Sequence, residues 1–214
     1  MASPKTTSSS PPKSTRVNNF MERIILVRHG QTNTNIKGII HAVKDDELLN
    51  NEGVRQMRET AEKLKNFSPT KVYTSNEKRT MQSGEVIAKK FGIGLETLDE
   101  IGERDWGNFV GKQWQEVEKI LNPMSLEERY TYIPPNGESW KSFESRLIKA
   151  VNKIVEENKN KTTIIVSHGG VIRALMPYLL DMPKEESFKY NPDNASIVIF
   201  NHDNGKFTQQ NYSL

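Results

Sequence analysis

"RIILVRHGQT", Arg23–Thr32, and "TIIVSHGGVIRAL", Thr163–Leu175, are near-echoes of one another. Each is an apolar run that ends in a polar residue, then a histidine, then a glycine. Short runs rich in β-branched residues are what strands buried on both faces look like, and such strands belong to parallel sheets covered by helices. The chain between and beyond them alternates accordingly. Residues 50–67 carry Val54, Met57, Ala61 and Leu64 at helical spacing, with Asn50 or Asn51 available as N-cap. A strand is predicted over 71–75, then a helix over 77–91, with further helices at about 112–121 and 139–158. The strand 162–168 runs into a helix over 170–180. Residues 195–212 read as a hairpin turning at Asp203-Asn204-Gly205. Strands joined by helices imply right-handed crossovers. The expected fold is α/β, a three-layer α/β/α sandwich with a mostly parallel central sheet.

Composition narrows the function. At 214 residues the chain suits one domain, expected over 21–214. It has no cysteine, which removes disulfides and thiolate metal sites. The net charge of +3 belongs to the first twenty residues, which hold Lys5, Lys13 and Arg16 and no acid; without them the chain has 27 basic and 27 acidic residues. A neutral body gives no electrostatic footprint for nucleic acid. The Ser/Thr/Pro-rich segment 1–20 is expected to be a disordered tail. No apolar run approaches the roughly 20 residues of a membrane span, so a soluble, cytoplasmic protein without a membrane partner is expected.

In an open α/β sheet, ligands bind beyond the carboxyl ends of the strands. His29 and His168 each stand just past such an end, and neighbouring strands would bring both imidazoles to one pocket. Gly30, Gly169 and Gly170 permit tight turns and close approach. Arg28 adds a cation beside His29. Arg79, in the first turn of the helix after "KVYT", points to the same edge. Two arginines and two histidines suit a compact dianion, most simply phosphate. Glu103, in the Gly- and Trp-dense segment "GERDWGNFVG", is the candidate acid, and Glu138 in "PPNGESW" a second. His41 reads as a loop residue and His202 as a residue before a turn. Trp106, Trp114 and Trp140 read as core or pocket wall. A two-histidine metal site lacks an acid at short ligand spacing.

"VRHGQT" with Asn35 seven residues after Arg28, "SNEKRTMQS", "GERDWGNFVG", "PNGES" with Arg146 downstream, and "VSHGGVIRAL" together resemble the histidine phosphatase superfamily, in order, from about residue 23 to 200. The resemblance implies a phosphoglycerate mutase-like fold with His29 as nucleophile. It makes Arg28 and Arg79 phosphate ligands, His168 the second pocket histidine and Glu103 the acid/base. Asn35, and Gln31 or Thr32, would be further phosphate contacts, and Gly169 adjoins them. No cofactor or metal is required, because fixed cations meet the charge. About three dozen residues, with one helix, separate Glu103 from "PNGES". Glycolytic mutases carry a longer insertion there, so the resemblance favours a phosphatase of the short-cap branch. Ala42-Val43 stands where many relatives have Gln-Gly, and Leu48 where they have proline. Arg104 is positioned to take a second anionic group, which makes small phosphorylated metabolites the expected substrates. Mutase-type phosphoryl transfer is the alternative, and a non-catalytic phospho-ligand binder a third.

Overall fold

The computed structural model describes residues 22–43 and 45–210. The expected tail lies outside the described residues. The first echo forms β1 (Glu22–Arg28), whose central residues are buried on both faces. Three segments follow it: the short helix α1 (Asn33–Lys37), then α2 (Asn51–Lys63) with its 3-10 extension to Phe67, then β2 (Lys71–Thr74). Asn50 caps α2 by accepting from the Gly53 N–H at 2.8 Å. The chain continues through α3 (Lys78–Phe91), β3 (Gly94–Thr97), α4 (Trp114–Leu121) and α5 (Leu126–Thr131). It ends with α6 (Trp140–Glu157), β4 (Thr162–Ser167), α7 (Gly169–Leu180) and the hairpin β5 (Ile197–Asp203)–β6 (Lys206–Gln209).

One six-stranded sheet has the order β3-β2-β4-β1-β5-β6. The first four strands in that order are parallel, β5 is antiparallel to its neighbour β1, and β6 is antiparallel to β5. Alternate residues of β1 face opposite layers. Ile24 and Leu26 pack with Phe143, Leu147 and Ile154 of α6 and Leu175 of α7. Ile25 and Val27 pack with Met57 and Ala61 of α2 and Ile87 of α3. The expected three layers are present. A third, smaller cluster of Ile40, Phe109, Val117 and Leu121 anchors the cap.

Four features depart from the sequence reading. The cap contains two helices, α4 and α5, instead of one. β3 and α1 were not expected, and α4 begins at Trp114. β3 is an exposed edge strand of four residues, too short and too polar to show a period. Among the described residues, no helix is long and apolar enough to cross a membrane.

Candidate active site

Register explains the echo. β1 and β4 pair in parallel with Arg28 opposite Ser167. The next residue on each strand, His29 and His168, therefore leaves the sheet at the same level. Their ring centroids are 5.3 Å apart at 67°. Both rings line a cavity of about 360 Å³ together with Arg28, Asn35, Arg79, Glu103, Arg104 and Gly169.

The glycines after the histidines have different reasons. A Cβ on Gly30 would meet the Gly53 carbonyl oxygen at 2.5 Å, so this loop can seat against the start of α2 only as glycine. A Cβ on Gly170 would lie 2.1 Å from Glu103 Oε1. Small residues at the start of α7 thus leave room for the Glu103 carboxylate.

His29 Nδ1 lies 2.7 Å from the Gly30 carbonyl. A carbonyl can only accept, so Nδ1 carries the proton and Nε2 keeps its lone pair. The ring is 2% exposed. Burial, and then the neighbouring His168, Arg79 and Arg28, push its pKa well below the ordinary 6.5. His29 is therefore a neutral imidazole with a free nitrogen.

His168 is held from behind. Its Nε2 is 2.8 Å from Ser75 Oγ and 3.1 Å from Glu77 Oε2. Its Nδ1 faces Arg79 Nη2 at 3.4 Å. Arginine only donates, so Nδ1 is the acceptor here and Nε2–H points to the carboxylate. Burial would raise the Glu77 carboxyl, but His168, Ser75 and Arg79 outweigh it and hold it far below the usual carboxylate range.

The cations are only partly neutralised. Arg28 donates through Nη1 to the Pro192 carbonyl at 2.7 Å, and its buried Nε has no hydrogen-bond partner among the described residues. Arg79 is 1% exposed and pairs through Nη1 with Asp45 at 2.6 Å, and its buried Nε is likewise without a partner among the described residues. Such orphan donors around a cavity suit an incoming anion. Glu103 accepts from its neighbour's N–H, that of Arg104, at 2.8 Å and from the Gly170 N–H at 3.1 Å.

Some expected residues have other duties. Gln31 and Thr32 do not line the cavity. The Gln31 side chain accepts from Asn50 at 3.1 Å, and Thr32 caps α1 by accepting from the Asn35 N–H. The turn from β1 into α1 uses both locally. Arg104 does line the cavity, but Nε and Nη2 donate to the carbonyls of Glu138 and Tyr132, and the guanidinium lies 4.3 Å from the Trp106 ring centroid. Burial lowers its pKa to about 10. The Glu138 carboxylate is held by Arg146, which also donates to the Glu103 carbonyl at 2.8 Å. Glu138 thus braces the loop that carries Glu103 and does not line the cavity.

His41 corrects the sequence reading. It lines the cavity, its ring centroid 6.3 Å from that of His29. It shares Asp45 with Arg79 and meets Asn35 Nδ2 at 3.1 Å through Nε2. Burial would raise the Asp45 carboxyl, but the His41 hydrogen bond and Arg79 hold it below its usual range. The spacing of His41 and Asp45, four apart in one polar loop, was the available signal. Ser75 and Glu77, four and two residues before Arg79, were a second. Arg173 and the three tryptophans also line the cavity. Among the described residues, no group of three or more His, Asp or Glu side chains could hold a metal ion.

A sheet that ends in paired histidines has relatives, and the match is direct. The model of the histidine phosphatase superfamily (branch 1) matches residues 24–214, and the chain belongs to that family. The uncharacterized phosphatase PhoE of Bacillus subtilis is 34% identical over 160 residues, 73% of this chain and 76% of that protein. The 2,3-bisphosphoglycerate-dependent phosphoglycerate mutase of Thermoplasma acidophilum is 27% identical over 186 residues, 87% of this chain and 90% of the mutase. A phosphoserine phosphatase mutant from Entamoeba histolytica, solved with phosphoserine, superposes with a TM-score of 0.78 at 25% identity, covering 89% of this chain and 96% of that one.

Proposed function

We propose that this protein is a metal-independent phosphomonoesterase that hydrolyses small phosphorylated metabolites through a phosphohistidine on His29. The observation that carries this reading is the His29 tautomer: Nδ1 tied to the Gly30 carbonyl, Nε2 free, and Arg28, Arg79 and His168 around it. In the first step Nε2 attacks phosphorus in line as the ester P–O bond breaks. Arg28 and Arg79 meet the charge on the transferring oxygens, and no metal is needed for that purpose. Glu103 is the group placed to give the leaving oxygen its proton. In the second step it takes a proton from water, which attacks phosphorus and returns His29. Glu77 behind His168 stabilises a proton arriving on that ring.

Mutase-type transfer is the second reading, favoured by the mutase relative. The short segment between Glu103 and Pro135 argues for water as acceptor.

The test is phosphate release from a panel of phosphomonoesters in EDTA, with His29→Ala as blank. Release by the wild type alone, with acid-labile, base-stable phosphate on His29, supports the reading. Release that the mutant retains, or that needs an added divalent ion, overturns it. Isomerisation without release moves the assignment to the mutase.

A further inference from the structure

His41 lines the cavity, yet both of its ring nitrogens are turned to protein groups. The directions of those bonds follow from Asn35. Its Oδ1 accepts from the Thr32 N–H at 3.2 Å and from Asn194 Nδ2 at 3.1 Å, so that end of the amide is the oxygen. Its Nδ2 can only donate, and it meets His41 Nε2 at 3.1 Å. Nε2 is therefore the bare nitrogen of His41, and the Thr32 hydroxyl, 3.3 Å away, donates to it as well. The proton sits on Nδ1, 2.8 Å from Asp45 Oδ2, while Glu47 Oε2 lies farther off at 3.4 Å. The other oxygen of the Asp45 carboxylate holds Arg79 Nη1 at 2.6 Å. One chain of bonds thus runs from Asn194 through Asn35, His41 and Asp45 to Arg79, and a single tautomer of His41 satisfies it.

We propose that His41 is a positioning residue for the bound phosphoryl group: it takes one Nδ2 hydrogen of Asn35 and thereby aims the other into the cavity. This rests on the reading of the cavity as a phosphate site.

With both nitrogens occupied, His41 has no hydrogen bond left for a ligand and must act through a neighbour. Asn35 lines the same cavity, and among the described residues its second Nδ2 hydrogen has no acceptor. The amide is planar, so fixing one hydrogen fixes the direction of the other. The imidazole that does this is itself held firmly. Its side chain is 9% exposed. The preceding residue, Ile40, is strapped to the cap: its N–H donates to the Lys112 carbonyl at 3.0 Å, and its carbonyl accepts from the Gly111 N–H at 2.9 Å. The Ile40 side chain packs with Phe109, Val117 and Leu121. Asp45 then ties the ring to Arg79, so the amide and the guanidinium keep one relative placement. A donor fixed in advance needs no reordering when the anion arrives, and that is how a residue out of contact with the ligand raises affinity.

The test is a double-mutant cycle read by orthovanadate binding in calorimetry. His41→Asn keeps an amide near Nδ1 for Asp45 and removes the acceptor at Nε2, whereas His41→Gln brings its Oε1 to the Nε2 position and restores that acceptor. Orthovanadate binding is expected to weaken about tenfold in His41→Asn and to stay within about threefold of the wild type in His41→Gln. In the Asn35→Ala background, His41→Asn is expected to cost nothing further, because its route to the anion is gone. Equal losses in both backgrounds overturn the proposal. So does wild-type affinity in either His41→Asn or Asn35→Ala, or a His41→Gln protein no better than His41→Asn. Thermal midpoints are read alongside. If His41→Asn unfolds early, His41→Phe, which keeps the bulk of the ring and loses both nitrogens, takes its place in the cycle. Phosphate release from p-nitrophenyl phosphate by the wild type is scored separately: none sinks the phosphatase reading, while the binding cycle still decides His41.

Discussion

A single proton decides what His29 can do. With Nδ1–H fixed on a carbonyl and the ring buried among cations, the native state resists protonation that the unfolded chain accepts below the ordinary pKa of 6.5. Two outcomes follow with one sign. The acid limb of kcat/KM, which reports the free enzyme, is expected below pH 6.5, and a pH–rate profile with that limb at or above 6.5 contradicts the assignment. Stability follows the same direction. The unfolded state gains protons first as pH falls, so stability from His29 is present above 6.5 and is lost on acidification. Glu77 adds a second loss below its ordinary 4.5. Denaturation midpoints at pH 7 and pH 5 should fall less in His29→Asn than in the wild type. At this scale Arg28, His29 and His168 were readable, because they end or follow the apolar runs of β1 and β4. His41 and Asp45 were not: Asp45 meets Arg79 from 34 residues away, a contact that no local period announces.

Elements aim the side chains. α7 begins with glycine because its first turn faces Glu103, and Gly170→Ala tests that. The added methyl cannot coexist with the carboxylate at 2.1 Å, so Glu103 must move. We expect kcat to fall by on the order of 10²-fold, the usual range for a displaced acid/base, with the thermal midpoint changed little. An unchanged kcat would mean that Glu103 has no part in the reaction. The long amphipathic helices α2, α3 and α6 were legible because each buries one face at helical spacing. α1 and α5 were not, at five and six residues. They exist through capping boxes at Thr32 and Ser125 and through contacts to the cap, which a short window cannot weigh.

At the scale of the molecule, the sheet order joins distant parts of the chain into one site. The parallel core was legible from alternating strands and helices. The neighbour relation of β1 and β4 was inferred only because both carried the same ending. Less visible was the clamp from the C-terminal region. Pro192 accepts from Arg28, Ala195 N–H donates to the His29 carbonyl at 3.1 Å, and Asn194 Nδ2 donates to that carbonyl and to Asn35 Oδ1. Asn194→Ala is expected to cost about 1–2 kcal/mol of stability and to lower kcat/KM roughly tenfold, read by denaturant unfolding and steady-state kinetics. Kinetics identical to wild type would show that the clamp does not orient the nucleophile.

That clamp also fixes when in its synthesis the polypeptide becomes reactive. His29 is made among the first thirty residues, yet its carbonyl and the Arg28 side chain find their partners in residues 192–195. A nascent fragment ending before them holds His29 and His168 but not the finished cavity. On the proposed reading, the ribosome must deliver nearly the whole described chain before an ester can be cleaved.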